Sequence, residues 1–245
     1  MSQSGTLDSW SCVGTSVGLQ VQSVQRARIG EHDLAIWRGA DGAVRAWQNR
    51  CPHRGMRLSF GFVRENRLTC LYHGWTYDGQ GSCAAIPAHP HLVPPRTITT
   101  FVYDCFENAG LIWVASKGAL DATPSVDGEW YAVRSIKIDA DASEIFSALN
   151  SLDFDAGSAE DGGLVITSTS LPASPLNHTV RLGSAGDRTS ILCAVQAVSP
   201  TESMLHISID GPHAREPELR RAVSDWAKGL RSDVEARATQ LAAAA

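Results

Sequence analysis

Apolar and polar residues alternate along residues 20–29, 33–38 and 44–48, the period of strands buried on one face. Asp41-Gly42, between the last two, reads as a tight hairpin turn. Residues 67–71 carry the pattern into a loop, Tyr77-Asp78-Gly79-Gln80-Gly81 forms another turn, and 101–107 with 111–115 make a closing hairpin. Many short strands joined by glycine-rich turns predict a small, antiparallel, barrel-like β domain behind a frayed start at residues 1–9. Residues 117–129 are polar and contain Gly, Asp and Pro124, so the chain divides into domains 1–118 and 119–245.

The second part mixes periods. Residues 130–139, 164–171, 177–183, 190–198 and 204–209 read as strands, with Ala185-Gly186-Asp187 as a hairpin turn. Residues 141–152 read as a helix with Asp141 as N-cap and Glu144 three residues on. Leu219, Val223, Trp226, Leu230, Val234 and Leu241 fall on one face of a long helix over 216–241. A sheet gripped by a long C-terminal helix is an α+β domain.

Candidate chemistry lies in the first part. Cys51-Pro52-His53 and Cys70-Leu71-Tyr72-His73 are two Cys/His loops separated by sixteen residues. Two thiolates and two imidazoles suit zinc or an iron–sulfur cluster. A structural zinc site uses the same ligand types, but its first pair is usually spaced more widely than Cys51-x-His53. Two His and two Cys on one [2Fe–2S] cluster make a Rieske centre, less anionic than its all-thiolate counterpart and easier to reduce. Gly55 and Gly74 follow the two loops, where backbone N–H groups come close to the cluster sulfurs. His89 and His91 stand in a proline-rich stretch and read as surface loop rather than metal ligands.

Composition narrows the class. The chain has 245 residues, 43% hydrophobic and 19% charged, as in globular proteins. A net charge of −5 argues against a general nucleic-acid binder. No apolar run has the length of a membrane span and the start has no signal-peptide layout, so a cytoplasmic protein is expected. The thiols outside the two loops, Cys12, Cys83, Cys105 and Cys193, read as small core residues rather than disulfides.

The runs Asn49-Arg50-Cys51-Pro52-His53-Arg54-Gly55 and Cys70-Leu71-Tyr72-His73-Gly74-Trp75-Thr76-Tyr77 resemble the cluster loops of Rieske non-haem iron oxygenases. The resemblance continues through Asp78–Cys83 and Ile86-Pro87 to Asn108–Val114, covering roughly residues 5–118. It implies a [2Fe–2S] cluster on Cys51, His53, Cys70 and His73. Respiratory Rieske proteins carry an extra disulfide between the loops. Met56 and Tyr72 stand here instead, so the match is to the oxygenase and ferredoxin branch, at the low-potential end of the Rieske range. The second part is similar to that family's helix-grip catalytic domain, but shortened.

In that family the second domain holds a mononuclear Fe(II) through two His and a carboxylate. The matching stretch here keeps Asn150 and Asp153, but Ala156 and Asp161 stand where the family has His. Asp225 or Asp233 would supply the third ligand. A mononuclear iron is therefore not expected, short of a rearranged site using His206, Asp210 and His178. The resemblance implies an electron-transfer subunit of an oxygenase system, in a trimer-based hetero-oligomer. It would be fed by a reductase or ferredoxin and would pass electrons to the iron of a partner oxygenase subunit, with no nucleic acid and no membrane involved. Two other readings are a complete oxygenase hydroxylating or demethylating a small organic substrate through an unorthodox iron site, and a non-enzymatic structural or binding subunit.

Overall fold

The structure is a computed structural model that describes residues 7, 9–118, 123, 125–151, 165–170, 177–184 and 187–244. The first unit contains β1 (Ser11–Thr15), β2 (Ser23–Ile29), β3 (His32–Arg38), β4 (Val44–Gln48), β5 (Phe62–Arg64), β6 (Arg67–Thr69), β7 (Thr76–Tyr77), β8 (Cys83–Ala85), β9 (Val102–Asn108) and β10 (Leu111–Ala115). Six of them form an antiparallel sheet in the order β1-β10-β9-β4-β3-β2, whose outer strands β1 and β2 come together to leave it nearly closed. The other four form a small sheet in the order β5-β6-β7-β8.

β3 and β4 depart from the half-buried pattern. Leu34, Ala35, Ile36 and Trp37 are all buried, as are Ala46 and Trp47. The reason is that both faces are covered. Leu34, Ile36 and Ala46 pack with Val13 and Ile112, while Ala35, Trp37 and Trp47 pack with Leu68, Tyr77 and the thiols Cys51 and Cys70. The small sheet, little marked in the sequence, supplies that second cover. The stretch 20–29 yields a strand only from Ser23, because Gln22 takes a left-handed φ of 57° in the preceding turn. The connection at Asp41-Gly42 is a loop over residues 39–43 with Gly42 at φ 79°.

The second unit contains β11 (Trp130–Ile138), α1 (Ala142–Asn150), β12 (Val165–Ser170), β13 (Asn177–Ser184), β14 (Asp187–Ser199), β15 (Glu202–Asp210) and α2 (Pro217–Ala244). The strands form one antiparallel sheet in the order β11-β15-β14-β13-β12. Asp141 caps α1 by accepting from the Ser143 backbone N–H at 2.9 Å, and Glu144 lies in the first turn, where its charge suits the helix dipole. The expected turn at 185–186 and the stretch 152–164 lie outside the described residues.

Strand alternation then divides the central strands between two covers. Ile191, Cys193 and Val195 with Leu205, Ile207 and Ile209 pack beneath α1 and α2, against Ile145, Leu149, Val223, Leu230 and Val234. On the other face, Leu192 and Ala194 pack with Trp10, Leu111 and Trp113 of the first unit. The five-stranded sheet is therefore a middle layer. Polar contacts pin the same seam: Gly30 N–H donates to the Ala197 carbonyl at 3.1 Å, and Ser208 Oγ donates to the Ala109 carbonyl at 2.6 Å.

Candidate metal centre

Two loops with one hydrogen-bond pattern stand side by side at an end of the first unit. In the loop after β4, Cys51 N–H donates to the Met56 carbonyl at 2.8 Å and Gly55 N–H to the Cys51 carbonyl at 2.9 Å. In the loop after β6, Cys70 N–H donates to the Trp75 carbonyl at 2.9 Å and Gly74 N–H to the Cys70 carbonyl at 3.1 Å. Each turn closes through a left-handed glycine, Gly55 at φ 75° and Gly74 at φ 69°. Gly74 also rests against the Pro87 ring, where an added Cβ would lie 3.0 Å from Cγ.

The loops bring all four sequence-selected residues together. Cys51 and Cys70 are buried next to one another on the lip of the Trp37, Trp47 and Tyr77 core. The His53 and His73 rings lie outward, their centroids 4.7 Å apart, with His73 exposed and His53 half-buried. Among the described residues no three His, Cys, Asp or Glu side chains converge on one ion position. A thiol pair inside and an imidazole pair outside suit two metal atoms better than one tetrahedral zinc.

The side chains also fit a metal group one by one. His53 Nδ1 is buried with no hydrogen-bond partner, which leaves that nitrogen free to ligate. Burial, then the neighbouring His73 and the Arg54 cation, lowers the His53 pKa, favouring the neutral ring that metals need. The His53 ring stacks on Trp75 at 4.2 Å and an interplanar angle of 3°. Burial first, and the adjacent Cys51, push the Cys70 thiol up, so ligation there displaces a proton. A [2Fe–2S] cluster would be held by Cys51 and Cys70 on one iron and by His53 and His73 on the other.

Two supporting residues carry no role in the sequence reading. Tyr77 OH lies 3.1 Å from Cys51 Sγ. Burial, then Cys51, raises its pKa, so its hydroxyl keeps the proton and would donate a hydrogen bond to Cys51 once that sulfur is a thiolate ligand. Buried Asn49 anchors the base of the first loop, donating to Asp33 Oδ1 at 2.9 Å and accepting from Ser59 N–H at 2.7 Å. Tyr77 was visible as part of the second motif, but its contact joins positions twenty-six residues apart.

The positions of the expected second metal site are only partly seen. Asn150 ends α1, while Asp153, Ala156 and Asp161 lie outside the described residues. Asp225 pairs with Lys228 at 2.7 Å, and Asp233 lies on α2. His206 is a core histidine with both nitrogens engaged, Nδ1 with Ser135 Oγ at 2.7 Å and Nε2 with Gln196 Oε1 at 2.8 Å. The strand register aligns residue 178 with Cys193 and Ile207, one step out of line with His206. His89 and His91 are exposed, as a surface loop requires.

Residues 9–102 match the family profile of the Rieske [2Fe–2S] domain. Among characterised relatives, the chain is 36% identical over 169 residues to the oxidoreductase NdmD of Pseudomonas putida, covering 63% of this chain and 29% of that protein. It is 44% identical over 78 residues to the methylxanthine N1-demethylase NdmA of the same organism, covering 32% of this chain and 22% of the relative. The chain thus spans under a third of the length of these relatives. The solved structure of Pseudomonas putida CBB5 NdmA superposes with a TM-score of 0.75 at 20% identity, covering 94% of this chain and 81% of that one. Dicamba monooxygenase bound to dicamba gives 0.74 at 16% identity, covering 96% and 88%. At these identities the superpositions speak for the fold.

Proposed function

We propose that this chain, which carries a Rieske [2Fe–2S] domain and is homologous to subunits of Rieske non-haem iron oxygenases, is an electron-transfer component of an oxygenase system. It would pass electrons to the mononuclear iron of a partner subunit. The observation that carries this reading is an imbalance between two ligand sets. The four residues for a cluster stand together at an exposed end, while the resemblance aligns Ala156 and Asp161 with the positions where the family has the histidines of its catalytic iron site. Held by Cys51, His53, Cys70 and His73, the cluster would take up and release one electron at a time. The chain's own residues do the rest. The Trp37, Trp47 and Tyr77 core shields the thiol side from water, and the loops present the imidazole side outward.

Iron and sulfide analysis of protein isolated without oxygen tests this. Two irons per chain and the rhombic EPR signal of a His-ligated cluster are expected on reduction. Three irons per chain would instead favour the complete oxygenase, and a colourless protein holding one zinc would end the cluster reading. Cys51→Ala should abolish the signal and lower the melting temperature, since ligand-binding free energy is also folding free energy.

A further inference from the structure

Strand alternation turns Ser135, Gln196, Met204 and His206 to the face of the five-stranded sheet away from α1 and α2. There they meet β1 and β2 around a cavity of about 370 Å³ between the two units. The second unit's deep polar groups bond one another or the first unit's backbone: His206 bonds Ser135 and Gln196, and Gln196 bonds the Arg28 carbonyl. Two donors of the first unit have capacity left. Gln25 stands over Gly14, its Nε2 3.1 Å from where a Cβ would lie, and its amide makes no hydrogen bond among the described residues. Half-buried Arg28 gives one guanidinium bond, to the Gly30 carbonyl at 3.2 Å, and has no ion pair among them. The other charges in the wall are matched, Arg26 by Asp33 at 2.8 Å and Glu202 by Lys137 at 3.4 Å. The cavity therefore carries one uncompensated cation. Val13, Val198 and Met204 give it an apolar side.

A guanidinium partly withdrawn from water, with no carboxylate of its own chain, gains most from an anion with a planar, two-oxygen head. A free amide beside it adds a donor, and the apolar side asks for a body that water solvates poorly. We propose that this cavity binds a small organic monocarboxylate, its carboxylate on Arg28 and the Gln25 amide and its apolar body against Val198 and Met204. Seams between units are a common place for such pockets. The site lies across the sheet from α1 and α2, which carry Asn150 and Asp225, so it is separate from the positions expected for a mononuclear iron. It is also independent of the cluster at Cys51, His53, Cys70 and His73. Its walls come from both units, so a bound ligand ties β2 to β14 and β15 and stabilises the folded chain by mass action.

The test is calorimetric titration of the full chain, at one ionic strength, with benzoate, uncharged benzamide and inorganic phosphate. Benzoate should bind at a single site per chain and raise the melting temperature as its concentration rises. Benzamide lacks the charge and phosphate lacks the apolar body, so each should bind about tenfold more weakly or worse. Arg28→Gln should weaken benzoate by about tenfold or more and leave benzamide nearly unchanged. The Gln196 bond survives in that variant, because it goes to the backbone of residue 28. Met204→Trp should fill the cavity and remove the binding of both, while Arg237→Gln on α2, a distant control, should change nothing. Melts of the unliganded variants check that each is folded. The carbon-labelled His206 ring signal, which should move when benzoate is added to the wild type, reads the site with no variant at all. Three results would overturn the proposal: no saturable benzoate binding, benzamide or phosphate binding as tightly as benzoate, or benzoate binding that leaves the His206 signal in place and is unchanged in Arg28→Gln.

Discussion

Tyr77 is the residue through which the core tunes the site. A protonated hydroxyl 3.1 Å from Cys51 Sγ would donate to that sulfur once Cys51 is a thiolate ligand. The bond strengthens as the sulfur gains electron density, so it stabilises the reduced state more than the oxidised one. If the difference is about 1 kcal/mol, it raises a one-electron potential by about 40 mV. Tyr77→Phe should therefore keep the cluster, its absorbance and its stoichiometry, and lower the midpoint potential by that order. A redox titration followed by EPR checks it; a potential that stays put or rises would mean the hydroxyl bonds elsewhere. The four candidate ligands that the structure brings together were legible in the sequence because thiols and imidazoles at that spacing admit few uses. The Tyr77 bond and the Asn49 anchor were not, because each depends on how β7 and β3 return to the first loop.

Among the elements, the small sheet holds the second loop, and one glycine sets how tightly. Gly61 has an ordinary φ, but a Cβ there would lie 2.1 Å from the Thr69 carbonyl oxygen, a backbone atom next to Cys70. β6 would have to move. Gly61→Ala should cost roughly 1–3 kcal/mol or more and loosen the cluster, visible as a lower melting temperature and faster iron loss to a chelator. Gly229 is the opposite case. It lies inside α2 with nothing within 4 Å of an added Cβ. Gly229→Ala should stabilise by roughly 1 kcal/mol. That is a rise of about 2–4 °C in a melt of a chain this size. If both variants melt together with the wild type, neither steric reading holds. The long helix and most strands of the six-stranded sheet were legible from their periods, because those elements are long or bounded by clear turns. β5, β7 and β8 escaped because two or three residues carry no period, and their pairing is fixed by the loops they close.

For the molecule as a whole, the seam between the units is what the sequence did not show. A strand period says which residues share a face, not what covers it. His206 reads in the sequence as a candidate for a rearranged iron site and Ser208 as one more strand residue, yet both are buried where the five-stranded sheet meets the first unit. A chain of bonds crosses there: Gln196 Nε2 donates to the Arg28 carbonyl at 2.7 Å, which turns its Oε1 toward His206. His206 Nε2 must then carry the proton, and Nδ1 accepts from Ser135 Oγ. The charged groups lining the adjacent cavity are Arg26, Arg28 and Glu202. Arg26 pairs with Asp33 and Glu202 with Lys137, so no carboxylate bonds the ring directly. Burial lowers the His206 pKa to about 4 from an ordinary value of 6.5. Below pH 6.5 the unfolded chain binds a proton that the folded chain refuses, so stability is present above that pH and lost as pH falls toward about 4. The loss is on the order of 3 kcal/mol. Asp33 and Glu107 have lowered pKa values from their arginine partners and act only further into acid. Urea midpoints should therefore fall between pH 6.5 and 4, and His206→Gln should remove most of that fall, leaving the share of His53, whose pKa is also lowered. A wild-type midpoint flat across this window, or a variant that keeps the slope, would show that His206 is not what the seam protects from protonation.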